Sequence, residues 1–170
     1  MTQGTLVTDG PRPCIRLERR LVDPPTVVWQ ALTDREQLRS WFPCDVIVTG
    51  GRWEVGATIT FPFPPEVIEM VLTGEVLVVD EPRALAFSWG EELLRFELSA
   101  DGDGTRLVLF DELPADAAAR NAAGWDECLD RLVGRVPPAG GWRQGFDSYV
   151  KAFEPVLGPQ QGPPDGYKGE

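Results

Sequence analysis

The chain has no histidine among its 170 residues. That removes the commonest general base at neutral pH, the usual nucleophile–histidine pairs and most zinc sites. Cysteine is scarce as well. Cys14, Cys44 and Cys128 lie far apart with no paired spacing, which reads as reduced buried thiols of a cytoplasmic protein rather than a disulfide framework. Positive charge is in deficit: 16 Lys and Arg against 27 Asp and Glu leave a net charge of −11 and a pI near 4.5. A nucleic-acid binder needs a basic stripe to displace phosphate counterions, and an acidic surface is repelled by anionic membranes; the sequence points to neither partner. No apolar run approaches the length of a membrane span. The N-terminal residues lack a basic segment followed by an apolar run, so no signal peptide is expected. Metal and cofactor motifs are missing too. The nearest, Asp101-Gly102-Asp103-Gly104, has no further calcium-ligand positions and reads as a hairpin turn.

What remains is an ordinary globular composition, 42% apolar and 25% charged, on a chain of one-domain length. Residues 1–12 read as a loose arm, 13–157 as a single domain, and 158–170, rich in Gly, Pro and Gln, as a disordered tail. The domain opens with a strand from Cys14 to Val22. Asp23 is placed to cap a helix with Pro24 at its first position, and Val27, Val28 and Leu32 supply its apolar side. Thr33 and Glu36 have capping-box spacing for a second short helix that ends at Pro43.

Strict alternation follows, the period of half-buried strands. After a segment from Asp45 to Thr49, the inward sets are Ala57, Ile59, Phe61 and Phe63; Met70, Leu72, Val76 and Val78; Leu85, Phe87 and Trp89; Leu94, Phe96 and Leu98; and Leu107 with Leu109. Period two then puts Asp111 on the apolar face of the last strand. Beyond Pro114, Trp125, Cys128, Leu129, Leu132, Val133 and Val136 recur at helical spacing. A further helix from about Gly141 carries Trp142, Phe146, Tyr149, Val150 and Phe153 on one side. Short connections make the sheet antiparallel, and its apolar face needs a helix to cover it. The fold class is α+β: a curved antiparallel sheet of six to seven strands on a long C-terminal helix, with two short helices after the first strand.

Several segments together carry a resemblance over roughly residues 14–155. They are Val22-Asp23-Pro24-Pro25 with Val28-Trp29, Ala31-Leu32-Thr33-Asp34 to Trp41-Phe42, and Gly74-Glu75-Val76-Leu77 with Asp80-Glu81-Pro82-Arg83 and Phe87-Ser88-Trp89. Asp101 to Leu107, and Ala123-Gly124-Trp125 with Cys128-Leu129-Asp130-Arg131-Leu132, complete the set. In this order they resemble the SRPBCC or START-like superfamily, and within it the branch similar to activator of Hsp90 ATPase homologue 1 (AHSA1-like). The resemblance implies a helix-grip fold with a cavity between sheet and long helix. It also implies small-ligand binders, polyketide cyclases and a co-chaperone domain among the relatives. Members often dimerise, so a homodimer is within its scope, although the sequence shows no interface signature. In the family pattern a Thr-His pair is common near the end of the last strand, and a His often follows the helical Gly-Trp. Asp111 and Asp126 stand in those places here, which leaves histidine-based family chemistry without its residue.

The inward aromatics Phe61, Phe63, Phe87, Trp89, Phe96 and Trp125, with Trp41, Met70 and Leu129, are the candidate lining of a ligand cavity; the alternative is that they only fill the core. Asp111 is the candidate polar group, able to orient a ligand or act as a base. The preferred alternative ends the strand at Phe110 and leaves Asp111 in water. Arg19 breaks its apolar face and is expected to snorkel outward. Glu66, Glu69, Glu91 and Glu92 read as solvated surface. Gly124 is read as structural, letting the helix bend or approach the sheet. The leading function is binding of a small apolar molecule without catalysis, metal or cofactor. A cyclase-type enzyme with Asp111 as base and an activator of a chaperone ATPase are the alternatives.

Overall fold

The computed structural model describes residues 4–168. Eight strands form one antiparallel sheet: β1 Thr5–Val7, β2 Cys14–Leu21, β3 Ile47–Val48, β4 Thr58–Pro62, β5 Val71–Asp80, β6 Ala84–Trp89, β7 Glu92–Asp101 and β8 Gly104–Glu112. Their spatial order is β1-β2-β8-β7-β6-β5-β4-β3. Helices α1 Pro25–Thr33 and α2 Arg35–Leu38 follow β2, and α3 Ala118–Leu132 and α4 Gly141–Leu157 follow β8. From β3 to β8 the chain meanders, each strand beside its predecessor. The α1–α2 connection carries it from β2 to the far edge, where β3 begins.

Alternation sets which face is inside. Ile15, Leu17 and Leu21 of β2, Leu94, Phe96 and Leu98 of β7, and Leu107 and Leu109 of β8 are all buried. The intervening Glu18, Arg95, Glu97 and Arg106 pair with one another or with neighbouring charges on the other face. Helix α3 closes the inner face with Ala118, Ala119, Ala122 and Ala123, whose small side chains let it lie close, and with Trp125, Cys128 and Leu129. Helix α4 packs Trp142, Phe146, Tyr149 and Phe153 into the same core.

At the β3–β6 end the core is aromatic. Phe42, just beyond α2, contacts Trp41, Phe61, Phe87, Trp89 and Trp125 with ring centroids 5.4 to 6.3 Å apart. Phe61, Phe87 and Phe96 stack in sequence behind it. These distances are those of favourable offset and edge-on pairs. β5 passes so near β6 that a Cβ on Gly74 would sit 1.9 Å from the Ser88 carbonyl oxygen, and only glycine fits there.

Several expectations need correction. The sheet has eight strands, not six or seven, partly because residues 5–7 of the expected loose arm pair with Arg16, Ile15 and Cys14. Pro24, not Asp23, is the N-cap of α1, and no side chain caps it. Thr33 stays within α1, where its hydroxyl donates to the Trp29 carbonyl at 2.9 Å. Asp34 caps α2 instead, accepting from Glu36 N. Of the segment 45–49, only Ile47 and Val48 join the sheet. The helix expected to reach Val136 stops at Leu132; Gly134 takes φ +84° and Val136 is exposed. The expected disordered tail folds back instead. The Gln160 side chain accepts from Ala119 N and donates to the Ala115 carbonyl, and Lys168 N donates to the Val67 carbonyl. Residues 1–3 of the arm and 169–170 of the tail lie outside the described residues.

Phe42→Ala is expected to destabilise the protein by about 3–5 kcal/mol, the usual cost of an emptied aromatic core site. Gly74→Ala is expected to cost about 1–3 kcal/mol through the forced separation of β5 and β6. Urea denaturation of both variants against wild type measures these losses, and an unchanged midpoint for either contradicts the packing described.

Candidate functional site

A cavity of about 460 Å³ opens between the sheet and α3, within the range of small-molecule sites. Four segments build most of it, with Pro43 beyond α2 and Trp142 of α4 at its margin. Phe63, Ile68 and Met70 come from the β4–β5 connection and Leu72 from β5; Trp89 to Glu92 come from the β6–β7 turn; Arg120, Asn121, Gly124, Glu127, Cys128 and Arg131 come from α3; Pro163, Pro164 and Tyr167 come from the returning C-terminal segment. The sheet side is apolar and the helix side mixed. A shallower depression of about 350 Å³ shares Pro43 and Phe63 but is walled mainly by prolines and by Arg39 and Asp45.

Of the ten residues predicted to line the cavity, Phe63, Met70 and Trp89 do so. Trp41, Phe61, Phe87 and Phe96 are interlocked in the aromatic core, and Leu129 is buried under α3. Trp125 and Asp111 lie just behind the wall. Period two cannot separate a residue that faces a space from one whose partner fills it.

Asp111 is fully buried, at 0% exposure, because β8 continues to Glu112. This corrects the solvated reading. Its Oδ2 accepts from Trp125 Nε1 at 2.9 Å. Its Oδ1 is buried without a hydrogen bond of ordinary geometry; the Glu92 carboxyl and the Asn121 amide lie near the Asp111 carboxyl. Glu92, expected to be solvated, is half-buried on the cavity wall and accepts from Asn121 Nδ2 at 2.7 Å. Leu94 pairs with Asp111 across β7 and β8, so Glu92 is the diagonal neighbour on the same face. Asn121 and Trp125, four apart on α3, meet this carboxyl pair from one helix face.

The signal for Glu92 was in the sequence. It extends the set Leu94, Phe96 and Leu98 by one period. That period sets it apart from Glu91, which is exposed, but two adjacent glutamates at a turn read as surface. Glu66 and Glu69 are exposed as expected. Asn121 carried no signal, since an amide on a helix is usually solvated.

Burial pushes the Asp111 carboxyl well above the usual range, and the adjacent Glu92 adds to the effect; the Trp125 indole and the Asn121 amide oppose it. Burial also raises Glu92, against hydrogen bonds from Asp111 and Asn121 and the charge of Arg120. A proton between the two carboxyls satisfies Asp111 Oδ1 and leaves a single negative charge. Burial raises the thiols, Cys14 to about 11 and Cys44 and Cys128 to about 12.

Gly124 faces the cavity. A Cβ placed there would meet nothing within 4 Å, so this glycine leaves open volume and does not serve close packing. Arg19 does not snorkel outward. It is 4% exposed, with Nη2 2.9 Å from Asp126 Oδ1 and Nε 3.3 Å from Asp130 Oδ1. The Tyr149 hydroxyl donates to Asp126 Oδ2 and accepts from Gly4 N at 2.6 Å. This network ties β2, α3, α4 and the start of the chain together, away from the cavity wall.

The raised carboxyls give a pH prediction. The folded state holds their protons more tightly than the unfolded one. Their contribution to stability is therefore full below the ordinary carboxylate pKa of about 4 and is lost as pH rises through the raised values. Asp111→Asn keeps the shape and removes one titration. Relative to wild type, the variant is expected to become progressively more stable between about pH 5 and pH 8, with no such gain near pH 4. Urea midpoints across this range test it; a constant difference between the two proteins contradicts the shared-proton pair.

The comparisons agree with this architecture. CalU16 from Micromonospora echinospora is 22% identical with a TM-score of 0.67, covering 92% of this chain and 96% of its own. A conserved protein of unknown function from Enterococcus faecalis, EF2215, is 22% identical with a TM-score of 0.73, covering 90% and 91%. The BPP1335 protein of Bordetella parapertussis is 26% identical with a TM-score of 0.62, covering 87% and 90%. These are helix-grip proteins, and the likeness establishes the fold. No curated protein matches the sequence. The sequence pattern of the family described as Activator of Hsp90 ATPase homolog 1-like protein matches residues 23–136, and the chain belongs to that family.

Proposed function

We propose that the protein binds one small, largely apolar molecule in the cavity between the sheet and α3. The observation that carries this reading is Gly124. It sits on a helix that otherwise packs alanines and a tryptophan against the sheet, yet open space faces it. Glycine within a helix costs about 1 kcal/mol relative to alanine, and here the missing side chain leaves room beside Phe63, Met70, Leu72 and Trp89. The family and fold support ligand binding in general terms. No helix among the described residues is long and apolar enough to cross a membrane.

Gly124→Leu is the direct test. The variant is expected to fold as well as wild type, because leucine is the better helix former and has space to occupy. It should fill the cavity. Wild type is expected to bind the neutral fluorophore N-phenyl-1-naphthylamine saturably at one site, with enhanced emission. Gly124→Leu is expected to lose at least tenfold in affinity at a Tm equal to or above that of wild type. Equal binding by the two proteins would place the probe elsewhere and overturn the reading.

A further inference from the structure

The polar end of the cavity has a construction that apolar binding alone does not require. Asp111 is wholly buried, with Trp125 Nε1 on Oδ2 and no hydrogen bond of ordinary geometry on Oδ1. Two ionised carboxylates side by side out of water repel, so the arrangement closes when Asp111 holds a proton and donates it to Glu92. Glu92 is then a carboxylate fixed from two directions, by Asp111 from behind and by Asn121 Nδ2 at 2.7 Å. A carboxylate has about four acceptor positions. Asp111 and Asn121 take two, and Glu92 stands on the cavity wall with acceptor capacity left.

The charges around it bear on what it accepts. Helix α3 presents Arg120, which is half-buried and also donates to the Gly162 carbonyl at 3.2 Å. The β6–β7 turn presents Glu91, which is exposed and adds negative charge. Farther along the wall, Glu127 and Arg131 pair with each other at 3.6 Å. Arg120 offsets part of the single negative charge of the carboxyl pair, which weakens the pull on a cationic ligand. An anion would meet Glu92 directly.

We propose that Glu92 is the specificity-determining acceptor of the cavity, taking the hydrogen of a neutral hydroxyl on an otherwise apolar ligand, with Asp111 and Asn121 as its positioning residues. This rests on the binding reading above and assigns the chemistry at one end of the same cavity. The apolar body lies against Trp89, Met70 and Phe63. Matched shapes that differ only in donor capacity separate this role from general apolar affinity.

The test uses 2-naphthol, which has a hydroxyl donor, and 2-methoxynaphthalene, which has a similar shape and no donor. Affinities come from competition with the bound fluorophore. Wild type is expected to bind 2-naphthol roughly tenfold more tightly, the scale of one hydrogen bond to a charged acceptor. Glu92→Leu is expected to bind both equally, with 2-methoxynaphthalene bound at least as well as by wild type. Glu92→Gln, which keeps shape and a carbonyl acceptor, is expected to retain part of the preference. Equal affinities in wild type, or a preference that survives in Glu92→Leu, overturn the assignment while leaving apolar binding intact. Failure of both compounds to displace the fluorophore overturns this assignment, whereas absence of saturable fluorophore binding by wild type overturns the binding reading with it.

Discussion

The structure depends on how the inner face of a curved sheet is covered. Strands β2, β8, β7 and β6 turn a continuous apolar surface in one direction, and α3, with α1 and α4 beside it, removes it from water. Its alanines permit the close approach. Two polar ties then fix its position. Near its middle, Asn121 and Trp125 bond to Glu92 and Asp111. On the adjacent turns, Asp126 and Asp130 take the Arg19 guanidinium. Each tie joins groups that would be costly to bury alone, so a slide or rotation of α3 would strand several polar groups at once. The cavity lies where this covering is incomplete, because Gly124 has no side chain and open space faces it.

The same constraint explains the carboxyl pair. β7 and β8 are hydrogen-bonded neighbours, and their register places Glu92 and Asp111 on the diagonal of one face. The sheet therefore fixes the separation of their backbones, and α3 supplies the donors. Burial does the rest: at the back of the cavity, a shared proton is the arrangement that leaves neither Asp111 oxygen unsatisfied. The pair is a property of the fold as much as of the two residues. The C-terminal segment completes the enclosure through Gln160, Lys168 and the prolines that reach the cavity.

Much of this was legible in the residues. Alternation located every long strand and put Asp111 on the inner face, and the helical stripe of Trp125, Cys128 and Leu129 identified the covering helix. The site was harder to read. Glu92 follows the inward period, yet beside Glu91 in a turn it looked like surface, and only the pairing of Leu94 with Asp111 brings it to the cavity. Arg19 broke an apolar pattern for a reason that lies on α3, more than a hundred residues away. Gly124 suggested close packing, whereas its function in the fold is open space. Such features depend on which elements face one another. A period of two or 3.6 fixes a residue's face but says nothing about what stands opposite.

Met70 offers the most direct view of the cavity. The sequence contains two methionines, Met1 and Met70, and Met70 is part of the cavity wall. In protein labelled with ¹³C at the methionine methyls, titration with 2-naphthol is expected to shift the Met70 signal saturably, read against Met1. The Gly124→Leu protein should show no such titration. A Met70 signal that stays fixed while 2-naphthol binds would place the ligand outside the cavity and contradict the account.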